Sequence, residues 1–295
     1  MRTRHAVPYR ADMARSSSLD AKPDRMGFDR ITLGPFELTD ASGAQLVSAL
    51  VQQLNSEQKS TRPIIMFSLH VAGLNLRGDS DFCAALRRAD LVVPDGISVA
   101  ALARIAGASG LHRHPTTDIG WELLAAFAAQ LQRPVKVALI GGGDGLAVRA
   151  GKFMNQRNEV DVVYTEHGYH DDWSDVLAQL NQLDWDVLVV GMGMPTEAFW
   201  VDRHLEQLQG SLVLTCGGWF SHIVGDEKRA PIWMRRVGLE WVARLVQQPT
   251  RLVGRYATGL LSTVAMIPTA LACRTRRCKT QTQQNGVLGD HVHTS

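Results

Sequence analysis

The sequence predicts an α/β protein, a Rossmann-like parallel sheet with helices on both faces, followed by a C-terminal basic amphipathic helical appendage. Three observations carry that reading. Short apolar runs alternate with amphipathic stretches between Ile64 and Thr215, the rhythm of strands and helices in turn. Several runs stop on glycine clusters, Gly141-Gly142-Gly143-Asp144-Gly145, Gly191-Met192-Gly193-Met194-Pro195 and Cys216-Gly217-Gly218, as parallel strands feeding helices do. Charge is segregated: from Lys228 to Lys279 eleven Lys or Arg stand against the single acid Glu240, which leaves about −8 for the rest of a chain whose net charge is +2.

A chain of 295 residues, 45% hydrophobic and 20% charged, can bury a full core. Residues 1–28 mix Arg, Ser, Asp and Pro without an apolar h-region, so they read as a disordered segment, neither a signal peptide nor a membrane span. Residues 29–225 form the α/β core, 226–272 the appendage and 273–295 a disordered tail. Cys83, Cys216, Cys273 and Cys278 lack the spacing of a disulfide framework or a zinc site, which suits a reducing cytoplasm.

Element by element, Ile31 to Leu33 and Phe36 to Leu38 are short strands. Ala41 to Asn55 is a helix with Leu46, Leu50 and Leu54 on one face. Strands follow at Ile64 to Leu69, Leu91 to Val93, Val135 to Ile140, Glu159 to Tyr164, Asp186 to Val190 and Leu212 to Thr215. Helices fall at Ser80 to Arg88, Ile97 to Ile105, Leu146 to Asn155, Trp173 to Leu183 and Ala198 to Leu208. No element is assigned to 116–131.

The run Ala89-Asp90-Leu91-Val92-Val93-Pro94-Asp95-Gly96 organises the chain. It is a buried strand stopped by turn formers, and in an open α/β sheet the ligand crevice lies outside the carboxyl ends of the strands. Asp95 is therefore placed for chemistry; the competing reading is a turn Asp that caps the helix from Ile97. The turn from Gly141 to Gly145 opens a helix, the setting in which backbone N–H groups receive a diphosphate, although its spacing is not the dinucleotide fingerprint. The glycines of Gly191 to Pro195 allow close backbone approach to a ligand.

Other chemistries find less support. Asp184-Trp185-Asp186 precedes a strand and reads as solvated turn acids; Asp79-Ser80-Asp81 reads as a helix cap. The ten histidines show no ligand spacing, with His167 and His170 flanking Gly168 in a loop, so no bound metal and no cofactor are expected. No Gly-x-Ser-x-Gly elbow appears.

Taken in order, the strand ending at Asp95-Gly96, then Arg113 and Asp118, then Gly191-Met192-Gly193-Met194-Pro195 with Trp200, then Arg229-Ala230-Pro231 and Gly238-Leu239-Glu240-Trp241 with Arg244-Leu245, resemble the WecG/TagA/CpsF glycosyltransferases over roughly residues 31 to 256. The resemblance implies inverting transfer of a sugar from a nucleotide-diphosphate donor, UDP-linked, to a polyprenyl-diphosphate-linked sugar, without an evident metal, in assembly of cell-envelope polymers or exopolysaccharides. It implies Asp95 as general base, with Glu197 the next carboxylate. It places Gly191, Gly193 and Pro195 on the nucleotide side; Ser68, His70, Arg113, Asp118, Gly141, Gly142 and Gly143 are the further donor-side candidates. Arg229, Arg244, Arg251 and Arg255 fall to the acceptor and its diphosphate. Departures are as informative: Ser68-Leu69-His70 stands where the family has Thr-x-Asn, Glu197-Ala198 where it has Gln-Glu, and Thr116 where it has Gly. These fit a branch using a different donor or acceptor from the N-acetylmannosamine enzymes, with a hexose or N-acetylhexosamine-type sugar transferred.

In the basic segment Trp233, Val237, Trp241 and Leu245 recur at helical spacing with Arg235, Arg236 and Arg244 on other faces, the composition of a helix lying on a bilayer at the cytoplasmic side. Tyr256 to Cys273, interrupted by Gly259 and Pro268, is expected to fall short of a spanning helix. Two other classes stay open on the residues alone: a nucleotide-binding enzyme of another kind using Gly141 to Gly145, and a nucleic-acid-binding protein using the basic end. Aromatics interleaved with aliphatics disfavour the second, so no nucleic acid partner is expected. A homo-oligomer is compatible with the sequence.

Overall fold

The computed structural model of the protein describes residues 26–54, 62–110, 116–227 and, discontinuously, 230–290. A small antiparallel hairpin, β1 (Arg30–Leu33) and β2 (Phe36–Thr39), leads into helix α1 (Gly43–Leu54). The six strands that follow make one parallel sheet: β3 (Ile64–Leu69), β4 (Leu91–Pro94), β5 (Val135–Gly141), β6 (Val160–Glu166), β7 (Val187–Gly191) and β8 (Leu212–Thr215). Their spatial order is β4-β3-β8-β7-β5-β6. The strands β3, β4, β7 and β8 are buried at every position, which is why they read as unbroken apolar runs rather than alternating ones.

Two layers of helices cover the sheet. One face packs α3 (Ser80–Arg88), α4 (Ile97–Ile105), α7 (Ser174–Gln182) and α8 (Thr196–His204) around Phe67, Val92, Ile140 and Val190. The other packs α1, α5 (Thr116–Leu131), α6 (Leu146–Met154) and α9 (Trp219–Ile223) around Met66, Val93, Leu139 and Val189. Crossovers from β5 to β6 and from β7 to β8 therefore run on opposite faces and in opposite directions along the sheet. The strand order reverses between β5 and β7, and a crevice outside their carboxyl ends is the position such a reversal provides.

Helix α5, to which the sequence reading assigned nothing, buries Thr116, Thr117, Ile119, Gly120, Leu123, Leu124 and Phe127. Gly120 brings the Trp219 ring onto its backbone, where a Cβ would collide with the indole. Asp79 caps α3 as expected, accepting the N–H of Asp81 at 3.0 Å and of Phe82 at 2.9 Å. Asp186 departs from the expected solvated turn acid: it is buried, holds both Arg133 guanidinium nitrogens at 2.7 and 2.8 Å, and accepts the Lys136 N–H at 2.8 Å. A carboxylate at the amino edge of the sheet thus ties β5 to β7 from below.

After the core come α10 (Glu240–Gln247) and α11 (Pro249–Asp290), the latter continuing past residue 272. Trp233 and Val237, two members of the expected apolar stripe, lie outside the described residues. Helix α11 runs unbroken through Gly259 and Pro268, and Leu252–Thr275 has the length and composition of a membrane-crossing helix, contrary to the sequence expectation. It lies along the body, against α4, against β1, and against α2 (Val71–Leu74). Gly259 sits on Val71, Met266 and Ala270 are buried, Arg77 donates to the Ser262 hydroxyl at 2.9 Å, and Asn75 donates to Thr258 at 3.2 Å. The outer face carries Val253, Leu260, Leu261, Val264, Ile267 and Leu271, all exposed.

Candidate active site

The carboxyl ends of the strands deliver the site. Pro94 ends β4 and Asp95 follows, half-buried, its N–H donated to the Leu69 carbonyl at 2.7 Å so that the end of β4 is stitched to the end of β3. The N-cap position of α4 falls on Gly96, at φ 96°, rather than on Asp95. That φ lies where side-chain-bearing residues are strained, so glycine is what lets the chain leave the strand and enter the helix in one step. Asp95 is the residue just before that cap position.

One strand over, His70 caps α2, its Nδ1 accepting the Ala72 N–H at 3.2 Å. A neutral imidazole accepting through Nδ1 carries its proton on Nε2, so the ring is fixed as a donor at its far nitrogen. Ser68 is buried, and its hydroxyl sits 2.8 Å from that of Thr116, which donates to the Thr215 carbonyl at 2.8 Å; the Thr215 hydroxyl in turn accepts the Ser68 N–H at 3.1 Å. This relay locks β3, β8 and the start of α5 together. It gives Thr116 the task of filling, with a hydroxyl, the place where a glycine would leave two polar groups unpaired.

Glu197, in the first turn of α8, is 1% exposed. One carboxylate oxygen accepts the N–H of Gly193 at 3.0 Å and of Gly217 at 3.1 Å, joining the turn after β7 to the turn after β8. Burial pushes its pKa up to about 7; the amide donors of Gly193, Gly217 and Met192 oppose the rise, and the nearby charge of Asp95 adds to it. The two carboxyl groups are thus electrostatic neighbours, one buried and one half-buried. Burial likewise pushes up the Cys216 thiol, with Glu197 as a second cause.

Between β5 and β7 the backbones come together without side chains. Gly141 pairs with Gly191, and a Cβ on Gly141 would collide with the Gly191 carbonyl; Gly142 donates its N–H to that carbonyl at 2.9 Å. Gly142 at φ 70° and Gly193 at φ 80° occupy the left-handed region. Gly143 is exposed, Pro195 follows the second turn, and Asp118 is half-buried in the first turn of α5. Arg113 and Arg229 lie outside the described residues. Arg244 falls on α10, and Arg251 and Arg255 on α11, by their backbones.

Asp95, His70, the Ser68 relay, Glu197 and both glycine turns therefore gather at one edge of the sheet. Sequence reasoning passed over Thr215 and Gly217, whose signal was the Cys216-Gly217-Gly218 stop after the last strand. It set His167 and His170 aside for want of ligand spacing, whereas with Glu166 they converge at the end of β6.

The model of the WecG/TagA/CpsF family of glycosyl transferases matches residues 31–278, nearly the whole described chain. The chain belongs to that family. The transferase is 26% identical over 174 residues to the N-acetylglucosaminyldiphosphoundecaprenol N-acetyl-beta-D-mannosaminyltransferase of Bacillus subtilis (strain 168), covering 59% of this chain and 67% of the relative. Enzymes of the same name from Staphylococcus aureus strains MW2 and NCTC 8325 are each 26% identical, over 172 and 161 residues, covering 58% and 54% of this chain and 66% and 62% of their own lengths. The transferase thus aligns over about two thirds of the length of these relatives. The family match begins at β1 and reaches into α11, so crevice and appendage belong to one unit of sequence.

Proposed function

We propose that this transferase moves a hexose or N-acetylhexosamine-type sugar, with inversion, from a UDP-sugar to a polyprenyl-diphosphate-linked monosaccharide in envelope or exopolysaccharide assembly. The observation that carries the reading is the placement of Asp95. It stands at the carboxyl end of β4, a half-buried carboxylate with a buried, high-pKa Glu197 as its neighbour, in a family-matched stretch.

In this mechanism the acceptor hydroxyl oxygen attacks the anomeric carbon as the bond from that carbon to the UDP oxygen breaks. UDP departs with the bonding pair, and the hydroxyl proton passes to the Asp95 carboxylate. Inversion requires the base on the face opposite the leaving group, and a positioned carboxylate contributes about 10² to 10⁴ in rate. With its pKa pushed up to about 7, Glu197 is neutral on the acid side of pH 7, where no second negative charge is pressed against Asp95. The N–H groups of Gly143, Asp144 and Gly145 in the turn after β5, with Arg113, hold the donor diphosphate, while the turn after β7 gives its Gly193 amide to Glu197 and lines the site with backbone alone, so departure of UDP needs no metal. His70 Nε2–H and Asp118 fall to the donor sugar and nucleotide; Arg229, Arg244, Arg251 and Arg255 fall to the acceptor diphosphate, which matches the planar guanidinium fork.

Helix α11 supplies the lipid contact. Its exposed apolar face lies opposite the buried one formed by Gly259, Met266 and Ala270, so the helix rests on a bilayer instead of crossing it, since crossing would strip the buried face from the body. Eleven basic residues between Lys228 and Lys279 add attraction to an anionic leaflet at the cytoplasmic side.

The test is a donor panel of UDP-hexoses and UDP-N-acetylhexosamines against synthetic lipid-diphosphate-glucose and lipid-diphosphate-N-acetylglucosamine, with the linkage read by NMR. A β-linked product from an α-linked donor is expected. Folded protein that transfers from no donor to either acceptor, or a product that retains configuration, overturns the proposal.

A further inference from the structure

At the carboxyl end of β6, three ligand-type side chains outside the crevice machinery converge. The donor atoms of Glu166, His167 and His170 all lie within 4.8 Å of one another. Glu166 Oε1 is 3.3 Å from His170 Nε2 and 3.8 Å from His167 Nε2. Strand β6 ends on Glu166, and the loop after it is pressed against the turn that follows β5: Gly168 donates its N–H to the Gly142 carbonyl at 3.0 Å, and a Cβ on Gly168 would stand 3.2 Å from the Gly141 Cα. Trp173 backs the His170 ring edge-on, with centroids 4.7 Å apart.

Within this frame His170 Nε2 is buried and, among the described residues, makes no hydrogen bond, although a carboxylate oxygen stands beside it. A buried imidazole nitrogen beside a carboxylate, without hydrogen-bond geometry between them, is a place where a cation can be shared. Asp144, on the glycine turn itself, has its Oδ1 3.9 Å from His167 Nε2 and is free to rotate, being almost fully exposed.

We propose that Glu166, His167 and His170 bind a divalent transition-metal ion such as Zn²⁺, with Asp144 or water completing the shell, and that the ion ties the β6 loop to the glycine turn after β5. Two imidazole nitrogens and a carboxylate suit Zn²⁺ or Co²⁺, whereas Mg²⁺ prefers an all-oxygen octahedron. Ligand bonds near 2.1 Å at tetrahedral angles put neighbouring donor atoms about 3.4 Å apart, close to the 3.3 and 3.8 Å found here. Two adjustments accompany binding. The imidazoles, stacked with centroids 4.1 Å apart, rotate so that both Nε2 atoms face the ion. His167 Nδ1, which accepts the Tyr169 N–H at 3.2 Å, takes up the proton displaced from Nε2 and releases that amide. Glu166, His167 and His170 fall within five residues, but two loop histidines three apart are a weak ligand pattern, and Asp144 comes from another loop.

The experiment uses the full chain, stripped with chelator and desalted, titrated with Co²⁺ while the visible ligand-field bands of a tetrahedral ion are followed, then with Zn²⁺ in competition. One equivalent is expected to bind, weakened at least about tenfold in His170→Ala and in Glu166→Gln, both with unchanged circular dichroism. A variant carrying His291→Ala and His293→Ala in the tail is expected to bind as the natural chain does. Folded protein that takes up no metal below about 100 μM, or uptake that persists in both site variants or disappears with the tail histidines, overturns the proposal. None of these readouts depends on sugar transfer, so failure here and failure of the glycosyltransferase reading are told apart.

Discussion

Glu197 accepts the backbone N–H of Gly217 at 3.1 Å, twenty residues away and one strand over, with a carboxylate whose pKa burial has pushed up to about 7. A single buried side chain thereby couples the turns after β7 and β8 and carries a proton that is available or absent according to pH.

Stability should report that proton. The folded pKa is raised above the ordinary 4.5, so the contribution is fully present below 4.5 and is lost as pH rises through about 7. A shift of that size corresponds to roughly 3 kcal/mol across the window. Glu197→Gln, which keeps an acceptor for Gly193 and Gly217 but cannot ionise, is expected to flatten the dependence of denaturation midpoint on pH between 4.5 and 7. Identical profiles for the two proteins would show that Glu197 is not the titrating group.

Asp95→Asn should cost about 10² to 10⁴ in turnover on a lipid-linked acceptor while the Kd for the UDP-sugar stays within a few-fold. Near-normal turnover in the Asn variant would remove Asp95 from the chemistry.

Thr116→Val deletes the hydroxyl that joins Ser68 to the Thr215 carbonyl inside the core. Leaving those two groups unpaired is expected to lower stability by about 1–3 kcal/mol in urea unfolding. A variant as stable as the natural chain would mean that the relay is dispensable.

Replacing Leu260, Leu261 and Val264 by Gln alters only exposed positions of α11. At ~1.5–3 kcal/mol for each large apolar side chain fully buried, even partial insertion implies a loss of at least about tenfold in partitioning onto anionic vesicles, with the melting temperature nearly unchanged. Sedimentation with vesicles reads the first quantity and calorimetry the second; undiminished binding would move the lipid contact elsewhere. Deleting everything beyond Gly225 would be a poorer test, because it uncovers Val71, on which Gly259 sits.

Chelator treatment is expected to leave turnover within about threefold, since backbone amides and arginines stabilise the leaving diphosphate in the proposed mechanism. A strict requirement for an added divalent ion would overturn metal-free departure of UDP.

Much of this arrangement was legible beforehand because the parallel sheet writes itself plainly. Leu91 to Pro94 is buried throughout, and the turn formers after it mark where Asp95 must emerge. The glycine turns were visible for the same reason: close backbone approach at Gly141 and Gly191 excludes a Cβ. Helix α5 was not, since Thr116, Thr117 and Gly120 are buried among its aliphatic residues and no polar face frames an apolar stripe. Nor was the state of Glu197, whose partner amides come from two separate turns. Asp186 was misread because its partner Arg133 lies 53 residues away.

Helix α11 is fastened to α2 and α4, the two short helices that begin at His70 and Gly96, on either side of the Asp95 carboxylate. If its apolar face sets the depth of contact with lipid, the separation between that face and the proposed base is built into the protein. Such a fixed standoff acts as a ruler: a sugar attached directly to a membrane-embedded diphosphate reaches Asp95, while one extended by further residues overshoots it. Acceptor length would then be selected by geometry, before any sugar hydroxyl is recognised.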